Sequence, residues 1–295
     1  MKKTIILKIF LTLLLLAVLF LKVNIFEILR IACTLDLIYI FGALILVPIL
    51  YIVRATRWNM FLYSVGIIVP FHISLEVLLI GNFYGLITPG KIGELGRAYH
   101  ISEEKVLTIP TIIIEKIIDI FTLVCLSLIT IVIYFQDNSF MQIGILLCTL
   151  AIFLGIFLLI NKKFIFFTAK FFNIEREDCK KFFENSQKIL YNFPLLAGAF
   201  LLSLVYYSLC YLIGYFIILS AGFNPMAVIT LPIIILMGNI PLTISGLGLR
   251  ESIGSLTFLI LGESAANGFI FSFLLFLLIT LVPSIFGYFL ILKVK

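Results

Sequence analysis

Charge is what this chain has least of. Of its 295 residues only 12% are Asp, Glu, Lys or Arg, against 63% hydrophobic, and the mean hydropathy is +1.25. Soluble domains are nearer half apolar and a quarter charged, so the composition excludes a water-exposed globular domain and indicates an integral membrane protein. Histidine is scarce: His72 and His100 stand far apart, and no carboxylate cluster supplies a metal site, so no metal or other cofactor is expected. A nucleotide-binding loop is missing too, and ATP hydrolysis by this chain is not expected. The five cysteines (Cys33, Cys125, Cys148, Cys179, Cys210) form no C-x-x-C pair, and four fall in apolar runs as small buried thiols. The net charge of +6 needs nothing beyond membrane orientation, so nucleic acid is not implied as a partner.

What is present is long apolar sequence. About 20 such residues cross a bilayer as a helix. Stretches 5–21, 37–53, 109–135, 143–160, 195–220 and 269–292 meet that template. The first follows Lys2 and Lys3 like a signal peptide, but no small-x-small cleavage site comes after it, and a retained span is expected. Stretches 60–86 and 226–243 are apolar but cut by Pro70, Pro232 and Pro241, and each runs into a polar, glycine-rich knot at 88–101 or 241–252.

Lys and Arg in short loops set orientation. Lys2, Lys3, Lys293 and Lys295 place both termini in the cytoplasm of a cell membrane, and so does the basic connector 161–192 for its own side. Residues 136–139 carry no basic group and face outward, whereas Lys22 and Arg30 run against the scheme. With these sides fixed, a span, a broken hairpin and a second span recur with opposite orientation. The expected fold is all-α and integral to the membrane, with about six full spans plus two re-entrant or broken-helix hairpins in an inverted repeat. It forms a single polytopic domain over 1–295: an N-terminal span (1–30), a first repeat (37–135), a span with its amphipathic cytoplasmic connector (136–192), and an inverted second repeat (193–295). In the connector, Cys179, Phe182, Phe183, Ser186, Ile189 and Leu190 recur at helical spacing opposite Lys180, Lys181, Glu184 and Lys188, as for a helix lying in the membrane interface.

The knots carry the chemistry. In the first, Pro89 stops a helix while Gly90 and Gly93 let the backbone turn and a second helix start. Free N–H groups at such a start attract anions, and Arg97 adds a permanent charge that grips phosphate. Glu94 either orients Arg97 or simply pairs with it. The second knot repeats the set with Gly246, Gly248, Arg250 and Glu251. Glu115 and Asp119 lie one helical turn apart beside Lys116, either to carry a coupling proton or to pair with Arg54 or Arg57. Asn82 and Asn239 precede the two knots, as caps or as substrate contacts.

The run Gly81-Asn82-Phe83-Tyr84, then Thr88-Pro89-Gly90, Gly93-Glu94 and Arg97, resembles the first motif of the lysylphosphatidylglycerol synthase transmembrane-region family, also called flippase-like. Arg54 with Arg57-Trp58, Glu115-Lys116 with Asp119, and Gly246-Leu247-Gly248-Leu249-Arg250-Glu251 are similar to its further motifs, so the resemblance runs from about Arg54 to Glu251. This chain has Thr243-Ile244-Ser245 where the family commonly has Pro-Gly. The soluble aminoacyl-transfer domain of full-length synthases is not found in the sequence. The resemblance therefore implies the translocating half: a lipid translocase without nucleotide hydrolysis, moving a lipid with an anionic or phosphate-bearing headgroup. Two other readings stay open. One is a membrane-embedded enzyme acting on a lipid phosphate or polyprenyl-linked sugar, with Glu94, Glu115 and Asp119 as its acids and bases. The other is a non-catalytic partner of a lipid synthase or glycosyltransferase.

Overall fold

The computed structural model describes residues 12, 19, 23–88, 91–101, 105–134, 143, 146, 149–150, 161 and 176–294. The expected spans at 5–21 and 143–160 lie outside the described residues save for isolated positions, as do the connection 136–139 and the residues Pro89 and Gly90. Among the described residues the fold is all-helical. Its α-helices are α1 (Ile25–Thr34), α2 (Leu37–Ser64), α3 (Phe71–Ile87), α4 (Lys105–Tyr134), α5 (Arg176–Leu190), α6 (Phe193–Ala221), α7 (Leu231–Gly238), α8 (Leu249–Ile260), α9 (Ala265–Phe276) and α10 (Val282–Val294). Short 3-10 helices at Ile92–His100 and Pro225–Thr230 precede α4 and α7, and a π turn at Leu277–Leu281 joins α9 to α10.

Among the described residues, four helices are long and apolar enough to cross a membrane: Leu37–Ser64, Lys105–Tyr134, Phe193–Ala221 and the continuous Ala265–Lys293. Their outward faces carry large apolar side chains, such as Ile38, Phe41 and Ile45 on α2 and Phe286 and Phe289 on α10. Exposed apolar surface on this scale suits lipid rather than water. The chain is an integral membrane protein.

Two elements depart from the sequence expectation. The span expected at 37–53 continues as α2 to Ser64, because Arg54 and Arg57 are buried and partnered instead of marking a membrane boundary. There α2 ends in a left-handed turn at Gly66 (φ 88°), with Gly66 N–H donating to Tyr63 O and Ile67 N–H to Leu62 O. Pro232, expected to cut the second apolar region, sits in the first turn of α7, where its missing N–H costs no hydrogen bond.

The chain divides into two compact units, one of Met1–Tyr51, Leu79–Glu94 and Tyr207–Lys295, the other of Ile52–Leu78 and Leu95–Tyr206. In the first, α8 and α9 form a close hairpin in which a side chain on Gly254 or Gly268 would strike the facing backbone. Gly287 likewise lies against the backbone of Leu79. Tyr51 Oη donates to Ile279 O at 3.0 Å, a carbonyl within the π turn. In the second unit, Phe61, Val65, Ile114, Ile189 and Ala199 form a buried cluster, joined by Phe182 and Leu190. The amphipathic helix α5 thus forms as expected, but its apolar face packs on α2, α4 and α6 instead of on the membrane interface. Helical spacing shows that a face is apolar; it does not show what covers it.

Candidate functional site

A buried ion network occupies the second unit. Arg57, on the part of α2 that hydropathy assigns to no span, reaches α4 and α6. Its Nη1 donates to Asp119 Oδ1 and to Ser203 Oγ, both at 2.5 Å, and its Nη2 donates to Glu115 Oε1 and Asp119 Oδ2, both at 2.9 Å. Arg97, from the 3-10 helix Ile92–His100, pairs with the other oxygen of Glu115 through Nη2. Glu115 is therefore bridged between two guanidinium groups, and all three side chains are at most 3% exposed. Arg97 also lies 4.2 Å over the ring of Trp58, the one tryptophan of the chain, whose indole N–H donates to Thr111 Oγ1 at 3.1 Å. Arg54 sits 5.9 Å over the Tyr206 ring and adds its charge to the field at Glu115.

Burying this many charges is costly unless each is matched, and most of these are. Both terminal nitrogens of Arg57 are engaged, which makes it a pin between helices. Arg97 is tied through Nη2 to Glu115, and the Nε atoms of both Arg57 and Arg97 find no hydrogen-bond partner among the described residues. Three guanidinium groups (Arg54, Arg57, Arg97) thus gather around the carboxylates of Glu115 and Asp119. Such a site can take an oxyanion by letting it share or replace the carboxylate beside Arg97.

The remaining candidates lie in the first unit. At the first knot, Thr88 Oγ1 donates to Tyr84 O and accepts from Gly93 N–H, each at 2.7 Å, and a side chain on Gly93 would collide with both groups. Glu94 is buried against Gly85. Asn82 Nδ2 donates to Thr280 O at 3.0 Å and to Ser284 Oγ at 2.8 Å, tying α3 to the π turn, whose altered ladder frees a carbonyl. At the second knot, Asn239 Nδ2 bonds back to Ile235 O at 3.0 Å and closes its own helix. Gly246 (φ 77°) passes so close to Gly238 that a side chain would overlap its backbone. Gly248 N–H donates to Glu251 Oε2 at 2.7 Å, so α8 is capped by its own acid. Arg250 Nε donates to Glu251 Oε1 at 3.3 Å, with the guanidinium 4.4 Å over the Phe276 ring.

An N–H group at each knot, Gly93 N–H and Gly248 N–H, is thus occupied by a side chain of the knot itself. Anion binding through those two amides is not what the local geometry offers; the arginines carry that capacity. Sequence reasoning missed Ser203, Thr111, Thr243 and Ser245. A serine or threonine in an apolar helix has no signal that separates a partner from one bonded to its own backbone, as Thr122 and Ser186 are.

No curated protein and no solved structure gives a significant match to this chain. The sequence profile described as "Lysylphosphatidylglycerol synthase TM region" matches residues 5–287. With nearly its whole length covered by that match, the chain belongs to the lysylphosphatidylglycerol synthase transmembrane-region family.

Proposed function

We propose that this chain is a lipid translocase that moves a lipid with an anionic or phosphate-bearing headgroup across a cell membrane. Family membership relates it to lipid modification or translocation. The observation that carries the finer reading is Arg97, buried, stacked on Trp58 and sharing Glu115 with Arg57, with its Nε unpaired among the described residues. A headgroup phosphate would bind at Arg97, with Asp119, the more exposed carboxylate, as the group that exchanges protons or partners. Membrane lipid is the partner this chemistry requires, and a lipid synthase that supplies or uses that lipid is a further one.

The order of elements supports an inverted repeat. A long helix (α2), a shorter one (α3), a knot, a short helix and a long helix (α4) are followed by α6, Pro225–Gly238, a knot, α8 and Ala265–Lys293. With both termini cytoplasmic, the α5 connector faces inward and the α8–α9 turn outward. Single cysteines replacing Lys180 and Glu263 should then label from opposite sides of sealed membranes; labelling from one side would break the repeat.

Scrambling in proteoliposomes tests the function, with labelled phospholipid and polyprenyl-phosphate probes. Wild type should move at least one probe faster than empty vesicles, and a folded Arg97→Gln variant should fall to about the empty-vesicle rate, because an interaction worth about 3 kcal/mol or more is lost. If no probe moves, the translocase reading fails; chemically altered lipid in the same vesicles would favour the enzyme.

A further inference from the structure

We infer that the loop of residues 241–250 holds an oxyanion, a phosphate or an equally acidic oxygen group, between the hydroxyls of Thr243 and Ser245 and the guanidinium of Arg250. The site lies in the first unit and is made of residues other than the Arg97 cluster, so it goes beyond the function proposed above.

Thr243 and Ser245 are fully buried and Arg250 is only 6% exposed, yet Thr243 Oγ1, Ser245 Oγ and Arg250 Nη2 find no hydrogen-bond partner among the described residues. Buried polar groups are nearly always paired, and unpaired ones point to an unseen ion or water. Among the described residues, Thr108, Ser127 and Ser255 carry single unpaired hydroxyls too, but only the second knot puts two such hydroxyls and an arginine nitrogen within eight residues; many other hydroxyls are satisfied locally. The hydroxyls of Thr88, Ser186 and Ser203 each donate to a carbonyl four residues back, and Ser252 does the same to Gly248 O at 2.6 Å. Thr243 and Ser245 lie in a turn rather than a helix, where no such carbonyl is in place.

All three orphaned groups can donate, and the arginine nitrogen can only donate, so the missing partner must be an acceptor. The acid of the loop does not serve: Glu251 accepts from Gly248 N–H and Arg250 Nε, and the three orphaned groups are left without a partner all the same. The loop is also held in shape. Leu247 N–H bonds Ile244 O and Arg250 N–H bonds Gly246 O, each at 3.0 Å, and Ile244 N–H bonds Thr12 Oγ1 at 3.1 Å. Ser245 is kept at φ 52°, an unusual backbone state for a residue with a side chain.

The test uses the purified full chain in detergent and its thermal midpoint on titration with inorganic phosphate, short-chain phosphatidic acid and neutral diacylglycerol. Wild type should be stabilised by phosphate, phosphatidic acid or both, and not by diacylglycerol. The Thr243→Val/Ser245→Ala variant should need at least about tenfold more ligand for the same shift, since each lost bond to a charged acceptor is that large or larger. Should the double variant not purify folded, each single substitution is held to the same direction of change. A response to phosphatidic acid alone identifies a lipid headgroup; an equal response to phosphate identifies the free anion. If wild type does not respond, or the variant responds as wild type does, water satisfies these donors and the inference is overturned. If Arg97→Gln alone abolishes the response, the ligand belongs to the second unit: the inference fails while the translocase proposal stands.

Discussion

In the second unit, Glu115 is held between two guanidinium groups that reach it from α2 and from the 3-10 helix Ile92–His100; in the first, Arg250 and Glu251 are adjacent residues on one turn of α8. The difference is one of assembly. The Glu115 network can exist only once several helices have packed, and every member depends on the others. The Arg250–Glu251 pair is built into the local chain, with Glu251 also closing the helix start, and its arginine keeps Nη2 available. A network of the first kind locks helices and gathers several arginines, whereas the second presents one arginine on a rigid turn.

Breaking the network should give the largest effect. Glu115→Gln leaves two buried arginines without their shared charge and should destabilise the protein by about 3–5 kcal/mol, read as thermal unfolding in detergent. A midpoint close to that of wild type would show that the network is not interdependent. Glu251→Gln should cost less, about 2 kcal/mol, because one arginine is affected, Phe276 remains beneath it, and the amide oxygen of glutamine can still accept from Gly248 N–H. A loss equal to that of Glu115→Gln would erase the distinction between network and neighbour pair. The smallest effect belongs to Lys180→Ala on the outer face of α5, where the pair with Glu184 spans 3.9 Å between exposed side chains. A change under about 0.5 kcal/mol is expected in the same measurement. A larger one would mean that the outer face of α5 is covered in the membrane-embedded protein.

Much of the fold was legible. Apolar length located the four helices among the described residues that are long enough to cross a membrane, though α2 ran past its expected end, since hydropathy counts Arg54 and Arg57 as water-facing when α4 and α6 receive them. The helical spacing of α5 was readable; its burial against Phe61, Ile114 and Ala199 was not. At the candidate site, one-turn spacing put Glu115 and Asp119 on one face of α4 and offered Arg54 or Arg57 as partners. The structure brings Arg57 to both carboxylates and pairs Arg97 with Glu115, a contact that no local spacing contains. Asn82, Asn239 and Gly93 stood out in the sequence for their places beside or within the knots, and in the structure each serves a hydrogen bond or a close approach within the protein.

By itself the sequence determined that the protein is helical and lives in lipid, because backbone groups there must be satisfied within helices and apolar length is a local property. It also determined where the chain turns, since Pro and Gly act on their own dihedral angles. Only the tertiary structure decided which charges meet, which glycines face a backbone, and which hydroxyls at the second knot lack a partner. Those outcomes depend on side chains brought together from distant parts of the chain, and the energy of a buried charge is set by what surrounds it rather than by its neighbours in sequence.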